Sequence, residues 1–123
     1  MGFIKHFSNS VSCAYRGIKD MFVQEPSFCV QIIIGVIVIA LAFYLGITGF
    51  EWLLLLVVIG MVIAFEIFNT SIERILNYIH PDYDPKIKII KDIAAASVLV
   101  TTLIAIVIGL IIFIPYFEKL FKN

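Results

Sequence analysis

Charge is scarce in this sequence. Aspartate, glutamate, lysine and arginine together make up 15% of its 123 residues, and nine basic residues cancel nine acidic ones. A chain without net charge lacks the basic field that nucleic acids require of a binder, so that class of function is excluded. Cysteine is nearly missing as well. Cys13 and Cys29 are the only two, both before or at the start of the first long apolar segment, on the side assigned below to the reducing compartment, so a structural disulfide is not expected. His6 and His80 stand alone, with no cysteine or histidine at zinc-type spacing, which argues against a histidine-ligated metal. None of the seven glycines precedes a lysine, so the chain has neither a phosphate-binding P-loop nor a glycine-rich kinase loop. The first 25 residues also lack the uninterrupted apolar core and small-residue cleavage site of a signal peptide.

What the chain has in excess is hydrocarbon. Its apolar content is 62% and its mean hydropathy +1.08, against about 45–50% apolar in soluble domains. This is the composition of an integral membrane protein. At roughly 20 residues per crossing, the length allows about three spans and no separate soluble catalytic domain. The expected fold is an all-α membrane protein, with three transmembrane helices and an N-terminal amphipathic interfacial helix in each protomer, forming one unit over residues 1–123.

In residues 1–25, Phe3, Phe7, Val11, Ala14, Ile18 and Phe22 recur at three- and four-residue steps while Lys5, Arg16, Lys19 and small polar residues fill the other faces. That pattern suits a helix lying in the membrane interface, and equally one packed on a partner. Pro26 biases Glu25 away from helical geometry and marks a turn. The expected membrane helices then run over about 28–50, 52–79 and 91–117. The short GITGFEW connection makes the first two an antiparallel hairpin, and HPDYDPKIK forms a polar loop before the third. Lys5, Arg16, Lys19, Arg74, Lys86, Lys88 and Lys91 fall on one side and only Lys119 and Lys122 on the other. The positive-inside rule therefore puts the N-terminus in the cytoplasm and the C-terminus outside.

The stretch from Trp52 to Ile79 carries acids inside its apolar run. Glu66 lies fourteen residues past Trp52, which is roughly 21 Å along a helix of ~1.5 Å rise and still within a hydrocarbon core about 30 Å thick. Intramembrane acids cost at least about 2.5 kcal/mol and mark sites. Glu66, Asn69 and Glu73 fall at i, i+3 and i+7, one polar stripe on an otherwise apolar helix. With Glu25, Lys91 and Asp92 they share one depth at the cytoplasmic boundary, although they come from three segments. Carboxylates are the oxygen ligands that Mg²⁺ prefers, and the cation keeps substrate phosphates in its shell. A lysine neutralises phosphate, and Glu66 is positioned as a general base toward a lipid hydroxyl. Residue types and spacing alone leave proton conduction or helix assembly equally open.

The segment Glu66-Ile67-Phe68-Asn69-Thr70-Ser71-Ile72-Glu73, followed after the polar loop by Lys91-Asp92-Ile93-Ala94-Ala95-Ala96-Ser97-Val98, resembles the two signature blocks of the prokaryotic diacylglycerol kinase and undecaprenol kinase family. Ala14-Tyr15-Arg16-Gly17-Ile18, Glu25 and Phe28 extend the resemblance over nearly the whole chain. It implies a homotrimeric, bacterial plasma-membrane lipid kinase with active sites at protomer boundaries, using ATP and Mg²⁺. Glu66 is then the catalytic base and Asn69 positions the reacting groups, while Glu25 and Glu73 hold the metal. Lys91 and Asp92 contact the nucleotide, joined by the loop Asp82, Tyr83 and Asp84. Gln31 and Ser27 stand at the lipid-facing start of the first span, where diacylglycerol kinases carry glutamate and many undecaprenol kinases carry histidine or asparagine, respectively. Phe50-Glu51-Trp52 and the run Gly109 to Pro115 are closer to the undecaprenol branch, which places that alcohol ahead of diacylglycerol as the expected substrate.

Overall fold

The computed structural model describes residues 1–122, and every described element is a helix. Helix α1 spans Gly2–Gln24, α2 Pro26–Leu45, α3 Gly49–Ile79 and α4 Pro85–Lys122. The last three are each long and apolar enough to cross a membrane.

The boundaries follow from local chemistry. Glu25 is extended, with φ −120° and ψ 96°, and Pro26 opens α2 at its first position, where a missing N–H costs nothing and the ring presets the helical φ. One residue therefore separates α1 from α2, and it is an acid. Gly46 ends α2 at φ 67° and ψ 49°, a left-handed cap that side-chain-bearing residues adopt at a cost of roughly 1–2 kcal/mol. The first span thus stops at Leu45 rather than near residue 50. Thr48 and Glu51 form a reciprocal cap: Thr48 Oγ1 accepts from the Glu51 amide at 3.3 Å, and Glu51 Oε1 accepts from the Thr48 amide at 3.0 Å. Helix α3 accordingly begins at Gly49, three residues before the expected Trp52. Asp84 starts α4 six residues early, its Oδ1 accepting from the Lys86 amide at 2.8 Å. At the other end α4 continues through Pro115 to Lys122 instead of stopping near residue 117.

At ~1.5 Å per residue, the 31 residues of α3 and the 38 of α4 exceed a 30 Å hydrocarbon core by several turns, so both helices project from it. They pack along one another, with α2 set more loosely beside them. The best-buried cluster, Ala42, Ile47, Leu55, Ile112 and Phe113, lies at the end of the α2–α3 turn. There Tyr116 on α4 donates to Glu51 Oε1 at 2.5 Å, and Phe43 packs on Trp52 with centroids 4.7 Å apart. From this cluster toward the opposite end the three helices leave an open, almost wholly apolar cleft of about 440 Å³, lined by Gly35, Val62, Gly109 and Phe113 among others and carrying Gln31. Helix α1 touches the rest through Met21, which is buried, and through an edge-on contact of Phe22 with Phe28. Phe3, Phe7, Val11 and Ile18 are exposed.

Candidate active site

Glu66 occupies the middle of α3 and is only 7% exposed. Both of its carboxylate oxygens are engaged. Ser27 Oγ donates to Oε1 at 2.9 Å and Gln31 Nε2 donates to Oε2 at 3.3 Å. Ser27 and Gln31 are four residues apart in the first turns of α2, hence on one face, and the Glu25–Pro26 elbow brings that face against α3. Two donors from a second helix fix the plane of the carboxylate and offset part of the cost of burying it. Gln31 Oε1, by contrast, is buried without a partner, and Gln31 is also the polar residue at one end of the apolar cleft.

One turn further along α3, Asn69 is 9% exposed and donates through Nδ2 to Glu73 Oε1 at 3.3 Å. It bonds to Glu73 and not to Glu66, and its Oδ1 has no partner. Thr70, beside it, is 4% exposed. Arg74 follows Glu73 and reaches away from the stripe's centre: it pairs with Asp20 at the end of α1, and its Nη2 donates to Glu25 Oε1 at 2.9 Å. Glu25 therefore faces a guanidinium.

The remaining expected residues lie further out. Lys91 on α4 donates to Asn77 Oδ1 at 2.5 Å, one turn past Glu73. Asp92 accepts from Lys88 on its own helix at 2.6 and 2.8 Å. In the α3–α4 loop Asp82 and Tyr83 are exposed, and Asp84 caps α4 with His80 Nε2 3.6 Å away. The structure thus brings Ser27 and Gln31 to Glu66, pairs Asn69 with Glu73 farther along the same helix, ties Glu25 to α3 through Arg74, and leaves Asp92, Asp82, Tyr83 and Asp84 outside that set. Arg74 and Asp20 were not expected here. The signal for Arg74 was its place eight residues after Glu66, two turns along the same helical face.

The sequence profile described as prokaryotic diacylglycerol kinase matches residues 12–113. The chain belongs to this family. Undecaprenol kinase of Bacillus subtilis (strain 168) is 31% identical over 112 residues, covering 91% of this chain and 91% of the relative. Diacylglycerol kinase of Haemophilus influenzae is 30% identical over 111 residues, covering 89% and 94%. Diacylglycerol kinase of Escherichia coli (strain K12) is 22% identical over 104 residues. As a prokaryotic diacylglycerol kinase family member with three membrane-length helices, the chain is a multi-pass bacterial membrane protein and a lipid kinase, a phosphotransferase with an alcohol acceptor and a nucleotide substrate. The proton-conduction and assembly readings left open by composition fall away.

The donor set suits a hard cation. Glu73, Glu25 and the unpartnered Asn69 Oδ1 all present oxygen, the atom type a hard cation prefers. Among the described residues no three Asp, Glu, His or Cys side chains converge into a cage.

Proposed function

We propose that this chain transfers the γ-phosphate of ATP to the hydroxyl of undecaprenol, with Glu66 as the base. The observation that carries the reading is the Ser27–Glu66–Gln31 constellation, which meets the apolar cleft at Gln31. The cleft accommodates hydrocarbon, and Gln31 Oε1 is the acceptor free to receive an incoming hydroxyl. A hydroxyl docked there lies beside the carboxylate that Gln31 Nε2 and Ser27 Oγ hold in place. Glu66 takes its proton as the lipid oxygen bonds to the γ-phosphorus and the bond from that phosphorus to the bridging oxygen of ADP breaks. Positioning and charge stabilisation supply most of the acceleration in such a transfer. Glu73, Asn69 Oδ1 and Glu25 would hold Mg²⁺, which would supply charge neutralisation on the phosphates. Lys91 and Asp92, with Asp82, Tyr83 and Asp84 in the loop, form the nucleotide side of the site.

In this reading the protein is a homotrimer with the N-terminus in the cytoplasm, the C-terminus outside, and α1 lying in the interface with Phe3, Phe7, Val11 and Ile18 against lipid. The preponderance of lysine and arginine on the α1 and α3–α4 loop side supports the orientation. Diacylglycerol is the second reading, favoured by the coverage of the Haemophilus influenzae relative.

The test is a competition assay in detergent with Mg²⁺ and labelled ATP, offering undecaprenol and diacylglycerol together and apart. Undecaprenol is expected to take most of the label, and Glu66→Gln to lower turnover by at least roughly 100-fold, the scale of general-base catalysis, with helix content and oligomer size retained. Preferential labelling of diacylglycerol would replace undecaprenol as the substrate; full activity in Glu66→Gln would remove the base.

A further inference from the structure

Arg74 takes no part in the chemistry above, yet it is where α1, the elbow and α3 meet. Its guanidinium pairs with Asp20 and donates to Glu25 Oε1 at 2.9 Å. Glu25 is thereby given two competing partners. It is the counter-ion of Arg74 in this structure and, under the kinase reading on which this inference rests, a ligand of the divalent cation that accompanies the nucleotide. A guanidinium and a divalent cation on one carboxylate repel each other, so each weakens the other's hold on it. Arg74 can move without being lost. Its side chain is 46% exposed, and its second partner, Asp20, keeps it anchored when Glu25 is withdrawn. The other cation near the stripe, Lys91, is engaged by Asn77. A polyphosphate approaching Glu25, Glu66 and Glu73 meets three acids, and Arg74, next to Glu73 in sequence and paired with Glu25, is the cation on their side of α3. A planar fork of donors is also the geometry that grips phosphate oxygens in pairs.

We propose that Arg74 is a nucleotide-phosphate ligand held in reserve by Glu25: it masks Glu25 from free cations in the empty protein, and when metal and nucleotide arrive together it yields Glu25, pivots on Asp20 and binds a phosphate oxygen. The arrangement makes cation binding depend on nucleotide. A divalent ion alone must displace Arg74 with no phosphate to receive the guanidinium, whereas the complex supplies the replacement partner.

The experiment has two readouts that move in opposite directions. Mn²⁺ binding without nucleotide is titrated by the loss of the free-ion electron paramagnetic resonance signal, and Mg-ATP kinetics are measured at saturating lipid alcohol, for the wild type, Arg74→Ala, Arg74→Lys and Asp20→Asn. Arg74→Ala unmasks Glu25 and is expected to tighten Mn²⁺ about 10-fold while raising KM for Mg-ATP about 10-fold, the scale of a hydrogen bond to a charged group. Its kcat should change less than about twofold, because a phosphate contact kept throughout the reaction is uniform binding. Arg74→Lys keeps the charge without the fork and should fall between. Asp20→Asn loosens α1 but leaves Glu25 neutralised, so it should not tighten Mn²⁺. Mn²⁺ affinity that is unchanged or weakened in Arg74→Ala, or identical behaviour of Arg74→Ala and Asp20→Asn, would reduce Arg74 to a clamp and overturn the proposal. A wild type that neither binds Mg-ATP nor labels either lipid would instead bring down the kinase reading beneath it.

Discussion

Replacing Gln31 by leucine separates the stability of the site from its chemistry. The side chain makes one hydrogen bond, Nε2 to Glu66 Oε2 at 3.3 Å, and leaves Oε1 buried and unpartnered. Losing a hydrogen bond to a carboxylate costs about 1.5–3 kcal/mol, and removing an unsatisfied buried acceptor returns about 1–3 kcal/mol. Leucine is close in size, so no cavity opens against Gly35 or the rest of the cleft. The two contributions offset one another, and the thermal midpoint in detergent should shift little. Activity has no such compensation. Glu66 keeps one donor, Ser27, and the acceptor for the lipid hydroxyl is gone, so kcat/KM for the lipid should fall about 10- to 100-fold, equivalent to 1.4–2.8 kcal/mol. Initial rates across a lipid titration in mixed micelles, beside a melting curve on the same sample, give both numbers. Equal losses of stability and activity would mean that Gln31 is packing alone. Unchanged kcat/KM with an unchanged midpoint would refute its role in positioning Glu66 and the hydroxyl.

Two further substitutions test regions around the site. Asp84→Ala removes the cap of α4 and should destabilise the chain by about 1 kcal/mol, seen as a lower thermal midpoint. If KM for Mg-ATP rises in the same variant, Asp84 also reaches the nucleotide, and if it does not, capping is its whole role. Tyr116→Phe deletes the hydroxyl that donates to Glu51 and should lower the midpoint while leaving kcat and both KM values as they are, because that contact lies at the far end of the helices from Glu66. A change in kcat would show that the two ends are coupled.

The spans and the polar stripe were legible because each is a pattern within one helix. Apolar length reports a crossing, and residues three and four apart share a face whatever they pack against. Contacts between helices carry no such signature. Ser27 and Gln31 were read as lipid-facing, and their bonds to Glu66 cross 39 and 35 residues of chain, a separation at which spacing carries no information. Arg74 was counted only for the charge it adds to one side, since its partners are 54 and 49 residues away. Some of the misplaced helix ends were visible after all. Thr48-x-x-Glu51 is the pattern of a capping box, hidden by starting the second span at Trp52, and Asp84-Pro85 is a cap followed by a proline at the first helical position.

The uneven burial of the molecule gives it the mechanics of tweezers. Ala42, Ile47, Leu55, Ile112 and Phe113 lock α2, α3 and α4 together at the α2–α3 turn, while at the other end α2 and the elbow reach α3 through the bonds of Ser27 and Gln31 to Glu66 and of Arg74 to Glu25. Spreading the arms exchanges a few polar contacts and leaves the pivot intact. A substrate lipid approaching from the side would need only that end to part, without disturbing the joint that holds the helices together.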